Sequence, residues 1–197
     1  MAGQSGTTDD GGVAQPSLFD AQANAALLVN ENSGKVLYEK NADETIYPAS
    51  TTKVLTCLII IEAIEKGEID PEASFAADGA IYSDIAAGGS TAHIAPGEVM
   101  SVMDYLHCAL LVSANEACNA LAIYYAGSID KFVDMMNQYA DSLGCTGSHF
   151  ANTHGMSDSN HYTTARDLYL IFSQAIDHDL FREICSKTNY TVPATNV

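Results

Sequence analysis

The chain has little positive charge. Its 197 residues include 8 Lys and Arg against 25 Asp and Glu, which gives a formal net charge of −17 at pH 7. Phosphate contacts need clustered basic side chains, so this shortage argues against a nucleic-acid partner. It also argues against binding to an anionic membrane surface. The acidic residues are spread along the whole chain, as expected for a solvated acidic surface.

Long apolar runs and metal-binding spacings are missing as well. The longest apolar run, VLTCLIIIEAI, contains Glu62 and is too short to span a membrane. The five cysteines are widely spaced, and the six histidines show no H-E-x-x-H pattern, so we expect no metal site. Cys57, Cys108 and Cys118 fall within apolar helical patterns, which predicts buried free thiols.

The pattern along the chain predicts a hairpin followed by a buried helix. Ala25–Asn30 and Lys35–Glu39 are strand-like, and the sequence ENSG between them is a turn signal. From Ser50 to about Lys66 the pattern is helical, and Gly67 ends it. This helix is apolar nearly all round, which is typical of a central helix with neighbours on every side.

Capping patterns place the later helices. Residues 68–100 are mixed and are predicted to form loops with short helices. Ser101 with Asp104, and Thr164 with Asp167, have the capping-box spacing that starts a helix. Two further helices are predicted between these boxes, over residues 115–126 and from Ser128 to Gly144.

The stretch YPASTTKVLT places Ser50 and Lys53 one helical turn apart, where the apolar helix begins. Residues at i and i+3 share a helix face, so the lysine amine can reach the serine hydroxyl. A serine needs a base to become nucleophilic, and burial near a helix start favours a neutral amine. The alternative is that Ser50 only caps the helix. A second S-x-x-K, Ser128–Lys131, starts an amphipathic helix and is interpreted as structural.

A second polar pattern interrupts two apolar helical segments in LLVSANEACNALA. At this break Ser113 and Asn115 are placed to face a cleft. The serine hydroxyl could bridge the lysine ammonium and a leaving group, while the asparagine amide could hold a substrate carbonyl. The alternative is a turn between two helices that Ser113 or Asn115 caps.

The two patterns together carry a family resemblance. S-x-x-K followed by S-x-N is part of the motif set of penicillin-binding proteins and class A β-lactamases. From about Ala25 to its end, the chain resembles the D-alanyl-D-alanine carboxypeptidases. The segments that carry the likeness are AALLVNENSGKVLYEKNADETIYPASTTKVLT, GGSTAHIAPGEVMSVMDYLHCALLVSANEACNALA and FANTHGMSDSNHYTTARDLYLI.

The resemblance implies an α/β (α+β) fold of the β-lactamase/transpeptidase-like type. A sheet packs on helices beside an all-helical lobe, and the active site lies between them. Residues 1–24 are then a flexible leader or a cloning remnant, and residues 25–197 a partial catalytic domain. Its parts are the hairpin 25–39, the nucleophile helix 50–66, the helical lobe of about 68–145, and the remaining helices and tail 146–197.

The resemblance also implies roles for four residues. Ser50 is the acylated nucleophile, Lys53 its general base and Ser113 a proton relay, while Asn115 binds the substrate carbonyl. The substrate is a peptidoglycan stem pentapeptide that loses its terminal D-alanine, and β-lactam antibiotics acylate the same serine. No cofactor is implied. The protein is expected to act in the cell envelope, outside the cytoplasm.

One family motif, K-T-G, does not occur in the sequence. The nearest string is Lys187–Thr188–Asn189, which we reject because asparagine adds a side chain where glycine lets the substrate approach. We expect that C-terminal sheet strands are missing from this chain. A separate C-terminal fragment of the same protein, or a swapped partner segment, is then expected to cover the helix; otherwise an apolar face stays exposed.

Two other interpretations stay open. A class A-like β-lactamase needs a glutamate for deacylation, and residues 127–197 contain no E-x-x-L-N pattern. A non-catalytic peptidoglycan-binding or regulatory relative is favoured by the lack of K-T-G and disfavoured by the intact S-x-x-K and S-x-N. Acylation by a labelled penicillin, and turnover of the adduct, would separate the three interpretations.

Overall fold

A computed structural model describes residues 21–197, so most of the leader predicted for residues 1–24 lies outside the described residues. In chain order the described residues form strands β1 (Ala26–Asn30) and β2 (Lys35–Lys40), a 3-10 turn (Ala49–Thr51), helix α1 (Thr52–Glu65), strand β3 (Ser74–Ala76), a second 3-10 turn (Gly79–Tyr82), strand β4 (Val99–Ser101), and helices α2 (Val102–Leu111), α3 (Asn115–Ala126), α4 (Ile129–Ser142), α5 (Ala165–Asp177) and α6 (Asp179–Ser186).

The predicted hairpin is confirmed. Strands β1 and β2 pair antiparallel, from Ala26 opposite Lys40 to Asn30 opposite Lys35, with a register shift between Leu28 and Val29. The hairpin packs on α5 through β1. Three apolar side chains of the hairpin stay exposed: Leu28 of β1, and Val36 and Leu37 of β2.

Helix α1 is the centre of the molecule, as its all-round apolar pattern predicts. Nearly every residue from Thr52 to Ala63 is buried, and α2, α3, α4, α5 and α6 all pack against it. The helix begins at Thr52 rather than at Ser50, because the preceding 3-10 turn holds the serine just outside the first helical turn.

The region between Gly67 and α2 differs from its prediction. One short helical turn occurs there, but β3 and β4 also pair antiparallel, with Phe75 opposite Met100. Strands of three residues are too short to show a period-two pattern, which explains why the sequence does not reveal them. The remaining helices predicted within residues 146–197 are α5 and α6, and only His178 lies between them.

The two predicted capping boxes have different outcomes. At α2 both halves form, since Ser101 accepts from the Asp104 N–H while the Asp104 carboxylate accepts from the Ser101 N–H. At α5 Thr164 accepts from the Asp167 N–H, but the Asp167 carboxylate turns away to the Gly147 N–H at 2.8 Å. Only half of the second box therefore forms, because a neighbouring loop competes for the carboxylate.

All five cysteines are unpaired thiols. The predicted burial of Cys57, Cys108 and Cys118 is confirmed, and Cys145 is buried too, whereas Cys185 is exposed. Within residues 21–197, none of the helices combines the length and the apolar character needed to cross a bilayer.

Candidate active site

Ser50 and Lys53 lie together at the entrance to α1. Ser50 is exposed in the 3-10 turn, and Lys53 is 2% exposed in the first turn of the helix. The Lys53 Nζ lies 3.1 Å from the Ser50 Oγ and donates to it. Pro48 and Thr51 occupy the cap positions of the turn and of α1, so the alternative in which Ser50 serves as a helix cap is wrong.

The surroundings of Lys53 favour its neutral form. Burial lowers the pKa of Lys53, while Cys118, Cys57 and Glu116 act in the opposite direction. The amine also donates to the backbone carbonyl of His154 at 2.7 Å. A buried amine with a lowered pKa, bonded to an exposed hydroxyl, is suited to remove the proton of that hydroxyl.

Residues 153–155 run along the start of α1 and contact Lys53, Thr56 and the turn that carries Ser50. Thr56, one turn after Lys53, donates its hydroxyl to the Thr153 carbonyl at 2.6 Å. Gly155 has a φ of +90° and approaches Ala49 so closely that only glycine fits there. No sequence pattern indicates that this segment belongs to the site, because its contacts join residues about 100 positions apart.

The buried His161 supports the 3-10 turn that carries Ser50, through a contact with Thr52. The His161 Nδ1 accepts from the Ala151 N–H at 3.0 Å, so the ring carries its proton on Nε2, which lies 2.8 Å from the Thr52 hydroxyl. That hydroxyl in turn donates to the Ala49 carbonyl at 2.8 Å. Burial lowers the pKa of His161 to about 4, so the ring is neutral near pH 7.

Ser113 and Asn115 lie at the junction of α2 and α3. Ser113 has a φ of 59°, and its buried hydroxyl has no hydrogen-bond partner among the described residues. Ala114 occupies the N-cap position of α3 without a side-chain bond, so the alternative in which Ser113 or Asn115 caps the helix is wrong. A serine in a strained backbone conformation with an unpaired buried hydroxyl is typical of a functional site.

A buried carboxylate, which no sequence pattern indicates, holds the segment before this junction. Glu116 is fully buried, and its Oε1 accepts from the Thr91 hydroxyl and the Ala92 N–H, both at 2.7 Å. The Asn115 N–H donates to the Ser90 carbonyl at 3.0 Å. These bonds fix residues 90–92 beside Asn115.

The structure brings Ser50 and Lys53 into direct contact, whereas Ser113 and Asn115 lie at the junction of α2 and α3. Two residues in the first turn of α3, Glu116 and Cys118, act on the charge of Lys53, and they lie one and three positions after Asn115. Among the described residues, no hydrogen bond joins Ser113 or Asn115 to the serine–lysine pair.

The two rejected motif copies lie elsewhere in the fold. Ser128 is the N-cap of α4 and accepts from the Lys131 N–H, which confirms the structural interpretation of that copy. The Lys187 amine contacts the His107 ring at 3.0 Å and the Glu183 carboxylate at 3.3 Å, and not the serine–lysine pair.

Comparison with known proteins identifies close relatives of the chain. Residues 11–195 match the sequence profile of the D-alanyl-D-alanine carboxypeptidase family. The chain is 36% identical over 160 residues to the D-alanyl-D-alanine carboxypeptidase DacF of Bacillus subtilis, covering 80% of this chain and 40% of that protein. It is 36% identical over 172 residues to DacA of Escherichia coli, covering 85% of this chain and 42% of that one.

Solved structures agree with these matches. The chain superposes on penicillin-binding protein 5 from Haemophilus influenzae with a TM-score of 0.84 and 30% identity, covering 91% of this chain and 52% of that one. The predicted transpeptidase-like α/β fold is thereby confirmed. The chain spans about two fifths of the length of the curated relatives it matches.

Proposed function

The chain belongs to the D-alanyl-D-alanine carboxypeptidase family, and from that premise we propose that it acts as a serine D-Ala-D-Ala carboxypeptidase. It removes the terminal D-alanine from peptidoglycan stem pentapeptides through an acyl-enzyme on Ser50. The observation that carries this proposal is the 3.1 Å contact between the buried Lys53 amine and the exposed Ser50 hydroxyl. The substrate lies outside the cytoplasm, so we place the protein's action in the cell envelope.

Acylation begins with proton transfer from Ser50 to Lys53. The neutral amine takes the hydroxyl proton while the serine oxygen attacks the carbonyl carbon of the penultimate D-alanine. The lowered pKa of Lys53 keeps the amine available for this step. The N–H groups at a helix start lack intrahelical acceptors, so the N–H of Ser50 is assigned as one donor to the developing oxyanion.

Collapse of the tetrahedral intermediate breaks the bond to the terminal D-alanine. We assign Ser113 the transfer of the proton from the Lys53 ammonium to the departing amine, in keeping with its buried, unpaired hydroxyl. Asn115 binds a carbonyl of the stem peptide through its side-chain amide. Water then hydrolyses the ester and restores Ser50. A β-lactam, whose strained amide presents the same carbonyl, acylates the same oxygen.

Peptide mapping after acylation tests the proposal. The full chain is incubated with a fluorescent penicillin, and the modified peptide is identified by mass spectrometry. We expect one adduct, on the peptide that contains Ser50, and none in the Ser50→Ala variant. An adduct on another residue, or an equal yield from Ser50→Ala, contradicts the proposal. Rapid loss of the adduct would support the β-lactamase alternative instead.

A further inference from the structure

Asp84 connects a surface loop to the buried side of the candidate active site. It follows the 3-10 turn Gly79–Tyr82, and its side chain is 35% exposed. The Asp84 Oδ1 accepts from the Asn119 side-chain amide at 2.7 Å and lies 3.3 Å from the His154 Nε2. The carboxylate therefore contacts both α3 and the segment that holds Lys53.

The His154 ring depends on this carboxylate. The ring is buried, and its Nδ1 accepts from the Met156 N–H at 3.2 Å, so its proton lies on Nε2. Asp84 is the charged group that faces this atom, although the contact is not aligned as a hydrogen bond. A buried N–H without an acceptor is costly, so the carboxylate has a strong influence on the orientation of the ring.

Asn119 links Asp84 to Thr153, the residue before His154. Its side-chain oxygen accepts from the Thr153 hydroxyl at 2.6 Å, and its amide also donates to the Ile81 carbonyl at 2.9 Å. The Thr153 carbonyl accepts a hydrogen bond from the hydroxyl of Thr56 in α1. Asp84 and Asn119 together thus hold the two residues whose carbonyls bind the first turns of α1.

We propose that Asp84 is a positioning residue for the reaction at Ser50, and that it acts through His154 and Asn119 on the carbonyl that holds the Lys53 amine. This inference rests on the proposed function. Burial raises the pKa of Asp84, but the contacts with His154 and Asn119 outweigh this effect and hold it below its usual range. The carboxylate is therefore ionised at neutral pH and stays attracted to the ring N–H.

Saturation kinetics with a fluorescent penicillin test the proposal. The Asp84→Asn variant removes the charge with little change of shape. We expect the acylation rate constant at saturation to fall about tenfold, because a base held slightly out of place transfers protons slowly. The penicillin concentration at half-saturation and the melting temperature should stay close to those of the unchanged chain.

The matched control is Asp78→Asn. Asp78 is an exposed aspartate near the start of the same loop, where it accepts from the Ala80 N–H at 2.7 Å, and no described contact joins it to His154. We expect no change in its saturating rate. Equal rates for Asp84→Asn and the unchanged chain would overturn the proposal. If Asp84→Asn aggregates, Asp84→Ser carries the same test at this partly exposed position.

A double-mutant cycle tests whether Asp84 acts through His154. His154→Asn keeps the backbone carbonyl but removes the ring, so it should lower the saturating rate by a similar factor. We expect the double variant to lose less than the product of the two separate losses, because both changes interrupt the Asp84–His154 contact while Asn119 still links Asp84 to Thr153. Effects that multiply would show that Asp84 acts independently of His154 and would contradict the proposal.

A measurement that needs no acylation separates this inference from the proposed function. If the unchanged chain is not acylated at Ser50, the proposed function fails. NMR then tests the positioning role of Asp84 without any reaction, through the nitrogen chemical shifts of the His154 ring and of the Lys53 amine. We expect Asp84→Asn to change both and Asp78→Asn to change neither. Unchanged shifts in Asp84→Asn would overturn the positioning role.

Discussion

Gly155 lies so close to Ala49 that a β-carbon at position 155 would be 1.8 Å from the Ala49 carbonyl oxygen. The same β-carbon would be 3.0 Å from the backbone nitrogen of Ser50. The 3-10 turn that carries Ser50 is therefore packed directly against the backbone of the segment that also binds Lys53. Any side chain at position 155 must displace the turn that presents the serine.

Gly155→Ala is predicted to lower acylation far more than a comparable glycine substitution elsewhere. Its control is Gly88→Ala, because Gly88 has nearly the same φ, +89° against +90°, but no atom near its β-carbon position. Both variants strain the backbone, by roughly 1 kcal/mol or more. Only Gly155→Ala also moves the turn. Penicillin acylation rates and melting temperatures measure the difference, and equal losses in both variants would show that the close contact has no effect on the reaction.

Lys53→Ala is predicted to slow acylation about 10²–10⁴-fold, the usual contribution of a general base. Lys131→Ala should leave the rate unchanged, because only the backbone N–H of Lys131 contacts the Ser128 side chain. Stopped-flow acylation with a fluorescent penicillin measures both rates. Small and equal effects would mean that Lys53 has only a structural role.

Ser113→Gly is predicted to make the fold more stable and the reaction slower. Glycine adopts the φ of 59° without strain, so the free energy of unfolding should rise by about 1 kcal/mol. Loss of the hydroxyl should lower the acylation rate. Ser113→Ala is the matched variant, since it removes the hydroxyl and keeps the strained β-carbon. The prediction fails if Ser113→Gly is less stable than Ser113→Ala in denaturant titrations.

His161 is predicted to make the fold sensitive to acid. Its pKa is about 4 in the folded chain against 6.5 as the ordinary value, so the unfolded chain binds the proton first as the pH falls. The free energy of unfolding should therefore be highest above pH 6.5 and decrease between pH 6.5 and 4, by up to about 3 kcal/mol.

Denaturant titrations at several pH values check this expectation. His161→Gln should make the decrease between pH 6.5 and 4 smaller, because glutamine keeps a side-chain N–H donor but does not titrate, while the lowered pKa of His107 still contributes. The exposed His149 supplies the control substitution, His149→Gln, which should keep the decrease. The same pH dependence in His161→Gln and the unchanged chain would rule out His161 as its source.

The sequence predicts the parts of this site that depend on local patterns. The hairpin, the buried helix α1 and the spacing of Ser50 and Lys53 follow from alternation, apolar content and helical periodicity. These features are stabilised by interactions between residues that are close together in the chain, or by burial of apolar surface, which does not depend on one particular partner. Their prediction is correspondingly accurate to within one or two residues.

The support of the site could not be predicted in this way. Lys53 and His154 are separated by 101 positions, and Asn119 reaches Asp84 across 35. A lone aspartate, asparagine or histidine carries no pattern that indicates its partner. The half-formed capping box at α5 shows the same limit, because the competing Gly147 N–H is distant in sequence from Asp167.

The burial of four thiols gives the chain a built-in folding reporter. Burial raises the pKa of Cys118 and Cys145 to about 12 and that of Cys108 to about 11, and it raises the pKa of Cys57 as well. Thiolates react with maleimides and neutral buried thiols do not. Partial burial raises the pKa of Cys185 too, but its side chain is exposed to the reagent, so a short pulse of maleimide should modify the folded chain once, at Cys185, and the unfolded chain five times. The relative intensities of the two mass peaks then give the folded fraction of each variant without a spectroscopic label.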